Sequence, residues 1–303
     1  MRIARINTDD GPKTVVVHGE SFLDFYEIAG VDPGESPRTF FSDVSRSSGK
    51  VAAFLREGRL SGITDYVPSS YLVPIPMVNQ IRDFYAFEDH VRAARARRGL
   101  EMVPEWYEFP AYYYSGNSSL FPSDHDITYP EFSSELDFEL EVAAVIGKEG
   151  KDIPKSDAWQ YIFGFMLAND WSARDIQRKE MKIGLGPAKS KDFATSFGRF
   201  LVTADEMASR LDPERKLDCD LKAYVNDNEY ASSNLNRMHW TFQEMISWAS
   251  TGTSLKPGDI IMSGTAGGGC ILEIGPEKNG WLKKGDVVRF HSSVLGELVS
   301  GIV

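Results

Sequence analysis

The stretch ELDFELEVAAVIG, Glu135 to Gly147, places acids at every second position and then turns wholly apolar. Successive side chains of a strand alternate between faces, so Glu135, Asp137, Glu139 and Glu141 share one face and Leu136, Phe138, Leu140 and Val142 the other. A half-solvated strand accounts for Glu135 and Asp137. The run VAAVIG is apolar on both faces, as in a strand entering a core, so Glu139 and Glu141 are expected near its buried end. Ionised carboxylates at that depth need a compensating positive charge, and one bound cation can serve both. Alone, the stretch leaves two readings open: a solvated polar face or a metal site.

The rest of the chain supplies ample material for a core around such a strand, with 303 residues of which 42% are hydrophobic. A net charge of −11 opposes non-specific attraction to nucleic acid or to an anionic membrane. The basic cluster HVRAARARRG, with Arg92, Arg95, Arg97 and Arg98, reads as a solvated helix. Two cysteines, Cys219 and Cys270, stand far apart and outside any C-x-x-C spacing, which argues against a disulfide framework or structural zinc and fits a reducing cytoplasm. The start MRIARINTDDGP lacks the apolar core of a signal peptide, and YIFGFMLA is too short to span a bilayer.

Residues 1–74 read as a small N-terminal α+β unit: strand-like RIARI and TVVVHG, then helical FLDFYEIAG and VAAFLREG. YLVPIPM, with Pro74 and Pro76, is an extended connector at the boundary. From residue 75 to 303 strands predominate, among them FLVTADE, LKAYVN, DIIMSGT, CILEIG and DVVRFHSS, interrupted by helices expected at DAWQYIFGFMLAND and TFQEMISWAST. Strands and helices do not alternate regularly, which argues for a β-rich α+β fold rather than a doubly wound parallel sheet.

Common enzyme signatures are absent: no G-x-S-x-G elbow, no phosphate loop, no G-x-G-x-x-G turn and no H-E-x-x-H helix. A carboxylate site remains, and three segments are candidates to complete it. RDFYAFEDH offers Asp83, Tyr85 and His90, although a lone histidine is more often a structural or surface residue than a catalyst. In NDWSARDIQ, Asp170 closes an apolar stretch, where it also suits a helix N-cap, and Arg174 lies four residues on, where it suits a pair with Asp170. AKSKDFATSFG carries Lys189 and Lys191 in what is equally a surface loop.

D-F-Y followed shortly by His, E-x-E on a strand, N-D-W-S-A-R-D-I-Q, K-x-F-x-T, and P-G-D followed by S-G-T occur here in an order that resembles the fumarylacetoacetate hydrolase family, from about Ile75 to the C-terminus. The resemblance implies a mixed β-sandwich roll, usually paired as a homodimer, with a divalent metal held by Asp83, Glu139, Glu141 and Asp170. An all-oxygen ligand set suits Mg²⁺, Mn²⁺ or Ca²⁺ better than Zn²⁺. Such a metal can chelate a 2-oxo acid or 1,3-dicarbonyl and stabilise the enolate left by C–C cleavage. His90 is then the general base, Lys191, Arg174 and Gln177 stabilise negative charge, Tyr85 lines the substrate pocket, and Thr265 in SGTAGGG bonds a substrate carboxylate. The partner implied is a small oxo acid.

One departure matters. In some members the acid that orients this histidine lies three residues after it, where this chain has Ala93; Glu88, Asp89, Glu101, Glu105 and Glu108 are the candidate substitutes. The insert RARRGLEMVPEWYEFPAYYY is longer than in compact members, and two roles are open to it: closing over the substrate or shaping the pocket. Hydrolysis of an acylpyruvate-like compound is the leading expectation. The same metal also suits a lyase or dehydratase of a 2-oxo-3-deoxy sugar acid, an isomerase or decarboxylase of aromatic catabolism, or a non-catalytic carboxylate binder.

Overall fold

A computed structural model describes residues 1–303 apart from Glu35 and Arg59. Two sheets organise it. The larger runs in the order Ser21–Asp24, Gly11–His18, Arg2–Thr8, Leu201–Thr203, Ile162–Asp170, Leu140–Ile146, Ile260–Met262, Ile81–Phe84, Tyr112–Ser115, with three short strands off this path. The smaller is an antiparallel sheet of Asn228–Asn234, Asp220–Val225, Val287–Ser292 and Gly296–Gly301. The fold is α+β and β-rich, as expected.

Leu140–Ile146 is buried at every residue. Leu140, Val142, Ala144 and Ile146 enter one apolar cluster, which contains residues of the smaller sheet such as Leu221, Phe290 and Leu298. Ala143 and Val145 enter another on the opposite face, with Ile3, Val16, Phe41 and Phe163. Burial on both faces is why this strand reads as a continuous apolar run rather than an alternating one.

The N-terminal strands are continuous with the large sheet, since Arg2 and Ile3 pair with Val202 and Leu201. The helix Thr39–Glu57 brings Phe40 and Phe41 onto Phe163, with ring centroids 5.6 and 5.2 Å apart. No helix of the described residues is long and apolar enough to cross a membrane.

Three local expectations change. DAWQYIFGFMLAND is a short 3₁₀ turn, Ala158–Tyr161, followed by the strand Ile162–Asp170, because its apolar residues are buried on both sides of a sheet. CILEIG is not a strand; Ile271–Ile274 is one helical turn. The acidic stretch is not one regular strand either. Leu136–Asp137 pairs with Ser172–Ala173, the ladder breaks at Phe138 and Glu139, and regular pairing resumes at Leu140.

Candidate active site

Three strands of the large sheet carry, at or next to one end, an acid that continues an apolar stripe. Ile81 leads to Asp83, Val145 and Ala143 lead to Glu141, and Met166 and Ala168 lead to Asp170, each stripe lying on the face that holds the second apolar cluster. Pairing fixes them side by side: Ala168 opposes Glu141, and Met262 opposes both Ala143 and Asp83. Glu139 joins from the break in the ladder, where its N–H donates to Asn169 Oδ1 at 3.0 Å. Asp83, Glu139, Glu141 and Asp170 each place a carboxylate oxygen within 4.8 Å of the others.

All four are buried, at 6% exposure or less. Burial, reinforced by the neighbouring acids, pushes the Asp83 and Glu141 carboxyls well above their ordinary range. Burial also raises Asp170, although Lys191 opposes the shift. At Glu139 burial is outweighed by the Lys191 and Arg174 cations, and its carboxyl falls well below the usual range. Lys191 Nζ bridges Glu139 Oε2 and Asp170 Oδ2 at 2.6 Å each, and those two anions hold the ammonium charged in spite of its burial.

Four buried oxygens of the cluster accept no hydrogen bond: Asp83 Oδ1, Asp170 Oδ1 and both oxygens of Glu141. Orphaned buried acceptors are rare and costly. A hard divalent cation would supply the missing partner, and the donor set is all oxygen, so the residues fit such an ion.

Several residues of the segment NDWSARDIQ tie the strand end to its neighbours. Asn169 accepts from Glu139; Trp171, wholly buried, donates from Nε1 to Ser196 Oγ at 2.8 Å; and the Ala173 N–H reaches Ser190 O at 2.9 Å, tying the Lys191 loop to the strand end. That loop is clamped further by Glu180, which accepts from the N–H groups of Ala188 and Lys189 at 2.9 and 2.7 Å and from Ser190 Oγ at 2.6 Å. Lys191 is therefore a buried residue, while Lys189 stays exposed in a pair with Asp192.

Arg174 opens the helix Arg174–Ile183, and Asp170 is not its N-cap. Nor does Arg174 pair with Asp170. Its Nε donates to Asp137 Oδ2 at 2.8 Å, Nη2 to Glu139 Oε1 at 2.7 Å and Nη1 to Gln177 Oε1 at 2.9 Å. Asp137, expected on a solvated face, is wholly buried instead. Besides Arg174 it accepts the N–H groups of Phe138, Ile271 and Leu272 at 2.8, 2.8 and 3.0 Å, enough partners to bury a carboxylate.

His90, on the helix Glu88–Ala96, faces Tyr85 edge-on with ring centroids 5.4 Å apart. Its Nδ1 lies 2.9 Å from Glu273 Oε2, and Glu273 Oε1 accepts the Gly268 N–H at 2.8 Å. Beside a carboxylate, Nδ1 carries the ring hydrogen and Nε2 is left as the acceptor. The residue that holds His90 is thus Glu273, on the turn Ile271–Ile274, and none of Glu88, Asp89, Glu101, Glu105 or Glu108. Those five belong to the histidine's own helix or the insert after it; Asp89, for example, pairs with Arg237.

Thr265 follows the sharp turn at Gly264, whose φ of +75° and position 2.2 Å from Phe84 O for any added Cβ demand glycine. Hydrogen bonds from Ser263 N to Val142 O and from Ala266 N to Leu140 O, 2.9 Å each, lay Thr265 alongside Glu141. In the insert, Trp106 is buried against Tyr107, His239 and Trp240, and donates to Tyr85 O at 2.9 Å. Tyr113 is a site residue that the sequence does not single out. Its hydroxyl donates to Asp170 Oδ2 at 2.6 Å, and the only signal for it is the tyrosine run YYY.

The model of the fumarylacetoacetate hydrolase C-terminal family matches residues 79–303. A fumarylacetoacetase of Oryza sativa subsp. japonica is 32% identical over 285 residues, covering 75% of this chain and 66% of that protein. A mitochondrial oxaloacetate tautomerase of Rattus norvegicus is 38% identical over 188 residues, covering 62% and 56%. The chain spans less than two thirds of either relative's length. The crystal structure of a fumarylacetoacetate hydrolase from Exiguobacterium antarcticum superposes with a TM-score of 0.75 at 20% identity, covering 100% of this chain and 99% of that one, which shows a shared fold. Given the family match across the residues that carry the carboxylates, His90 and Glu273, the chain belongs to the fumarylacetoacetate hydrolase family.

Proposed function

We propose that the chain is a divalent-cation-dependent hydrolase that cleaves a C–C bond in an acylpyruvate or related 1,3-diketo acid. The observation that carries this reading is the His90–Glu273 pair at 2.9 Å, beside the four-carboxylate cluster. Addition of water needs a positioned base, and an imidazole held by a carboxylate is one. The likeness to the Oryza fumarylacetoacetase supports the same direction.

A Mg²⁺, Mn²⁺ or Ca²⁺ ion on Asp83, Glu139, Glu141 and Asp170 would supply Lewis-acid stabilisation of enolate oxygens. His90 Nε2 takes a proton from water, and the hydroxide adds to the acyl carbonyl carbon. The C–C bond then breaks, and its electron pair becomes the enolate of the departing oxo acid, which takes up a proton. Lys191 and Arg174 contribute positive charge near the developing oxyanion. Arg174 also holds the Gln177 carbonyl, which leaves the Gln177 amide hydrogens free to donate to substrate. The Tyr85 hydroxyl, pushed up to about 12 chiefly by burial, remains a donor at neutral pH. Thr265 offers its hydroxyl to a substrate carboxylate.

The likeness to the Rattus tautomerase favours a second reading, proton transfer within a 2-oxo acid without addition of water. A screen of 1,3-diketo acids and of 2-oxo acids with Mg²⁺ or Mn²⁺ separates the two. Release of two carboxylic acids supports the hydrolase; keto–enol exchange with no cleavage overturns it. A homodimer and a division into a small unit of residues 1–74 and a catalytic unit of residues 75–303 belong to the same proposal, the latter supported by a family match that begins at residue 79.

A further inference from the structure

Cys270 has no part in the chemistry above, yet it lies within it. Its thiol is free and wholly buried, on the residue that precedes the turn carrying Glu273. One ligand atom each from His90, Cys270 and Glu273 lie within 4.8 Å of one another. This is a different donor set from the carboxylate cluster. An imidazole nitrogen, a sulfur and one carboxylate oxygen suit borderline and soft cations, whereas four carboxylates suit hard ones.

We propose that His90, Cys270 and Glu273 form a second cation site, selective for thiophilic divalent ions such as Zn²⁺, and that its occupation takes His90 out of catalysis. The site itself is independent of the hydrolase reading, while the loss of turnover rests on it.

The geometry lies close to what such an ion requires. Tetrahedral zinc with bonds of about 2.0–2.3 Å sets its ligand atoms about 3.3–3.7 Å apart, so the separations between the three donor atoms have to shorten by about 1.5 Å at most. Only two elements are involved, and they are already joined by Arg97 Nε, which donates to Glu273 O at 3.1 Å. Gly268 anchors one oxygen of Glu273, leaving the oxygen now on His90 to meet the ion. Three protein ligands leave a fourth position for water. On binding, Cys270 gives its thiol proton to solvent, Glu273 binds as the carboxylate, and His90 keeps its single proton on the nitrogen the ion leaves free. Electrons do not change hands.

The test titrates the full chain with Cd²⁺ in excess Mg²⁺, following the ultraviolet thiolate-to-cadmium charge-transfer band. The band is expected to saturate at one equivalent, to survive Cys219→Ser, and to vanish in both Cys270→Ser and Cys270→Ala. With a substrate in hand, Zn²⁺ should inhibit the native protein at concentrations at least about tenfold lower than it inhibits either Cys270 variant. Absence of the band in the native protein, its persistence without Cys270, or its loss as Mg²⁺ is raised would each overturn the site. A Cys270-dependent band with undiminished turnover under Zn²⁺ would leave the site standing and overturn both its inhibitory role and His90 as base.

Discussion

Glu273 Oε2 and His90 Nδ1 meet at 2.9 Å across 183 positions of sequence, both nearly buried. The contact fixes the imidazole's tautomer as well as its direction. Glu273→Gln is therefore expected to lower kcat by about ten- to a hundredfold with little change in KM, and His90→Ala by about a hundredfold or more. Steady-state kinetics of the double variant should match His90→Ala alone, because groups acting as one unit are not additive.

Removing a cluster acid removes a ligand as well as a charge. Asp170→Ala or Glu141→Ala should weaken Mn²⁺ binding by at least about a hundredfold, measured by titration calorimetry. Affinity equal to the native protein's in both variants would end the metal assignment.

The raised carboxyls link the cation to pH. The folded-state pKa values of Asp83 and Glu141 lie above their unfolded values, so their favourable contribution is fully present below the unfolded carboxylate range of about 4 and is lost as pH rises through the raised values. Glu139 has the opposite sign, and its contribution is lost only in strong acid. A cation relieves the repulsion that protonation otherwise relieves. The melting temperature gained with Mn²⁺ over a chelator control should accordingly grow from about pH 5 to about pH 8. A gain that shrinks over that range contradicts the reading.

Asp137→Ala leaves the Arg174 guanidinium short of a buried partner and strands three N–H groups. Chemical denaturation should show a loss of about 3–5 kcal/mol. Lys189→Ala, which removes only an exposed pair, should cost no more than about 0.5 kcal/mol.

Part of this site is legible in the sequence: alternation puts Glu141 on the face of Ala143 and Val145, and N-D-W-S-A-R-D-I-Q is long enough to be specific, whereas Glu139 reaches the cluster from a break in the ladder that alternation does not foresee. TFQEMISWAST is equally plain: Thr241 and Glu244 close a capping box at the start of Phe242–Ser250. Glu273 is hidden because its partner lies across the fold, and CILEIG has too few residues to tell one helical turn from a strand. Alternation misplaces Asp137, since it gives a side chain's face and not what covers it; here the cover is Arg174 and the backbone of the turn at Ile271. YIFGFMLA misleads for a related reason, its two-sided burial in a sheet looking like a buried helix.

Three acids of the cluster sit where apolar stripes of three strands run out, and this makes cation affinity a proofreader of folding. A slip of one residue in the pairing of Leu140–Ile146 would swing Glu141 into the cluster that holds Leu140 and Val142 and point leucine at Asp83 and Asp170. A chain folded in the wrong register has no such ligand set, so titration with a divalent cation would count the correctly threaded molecules.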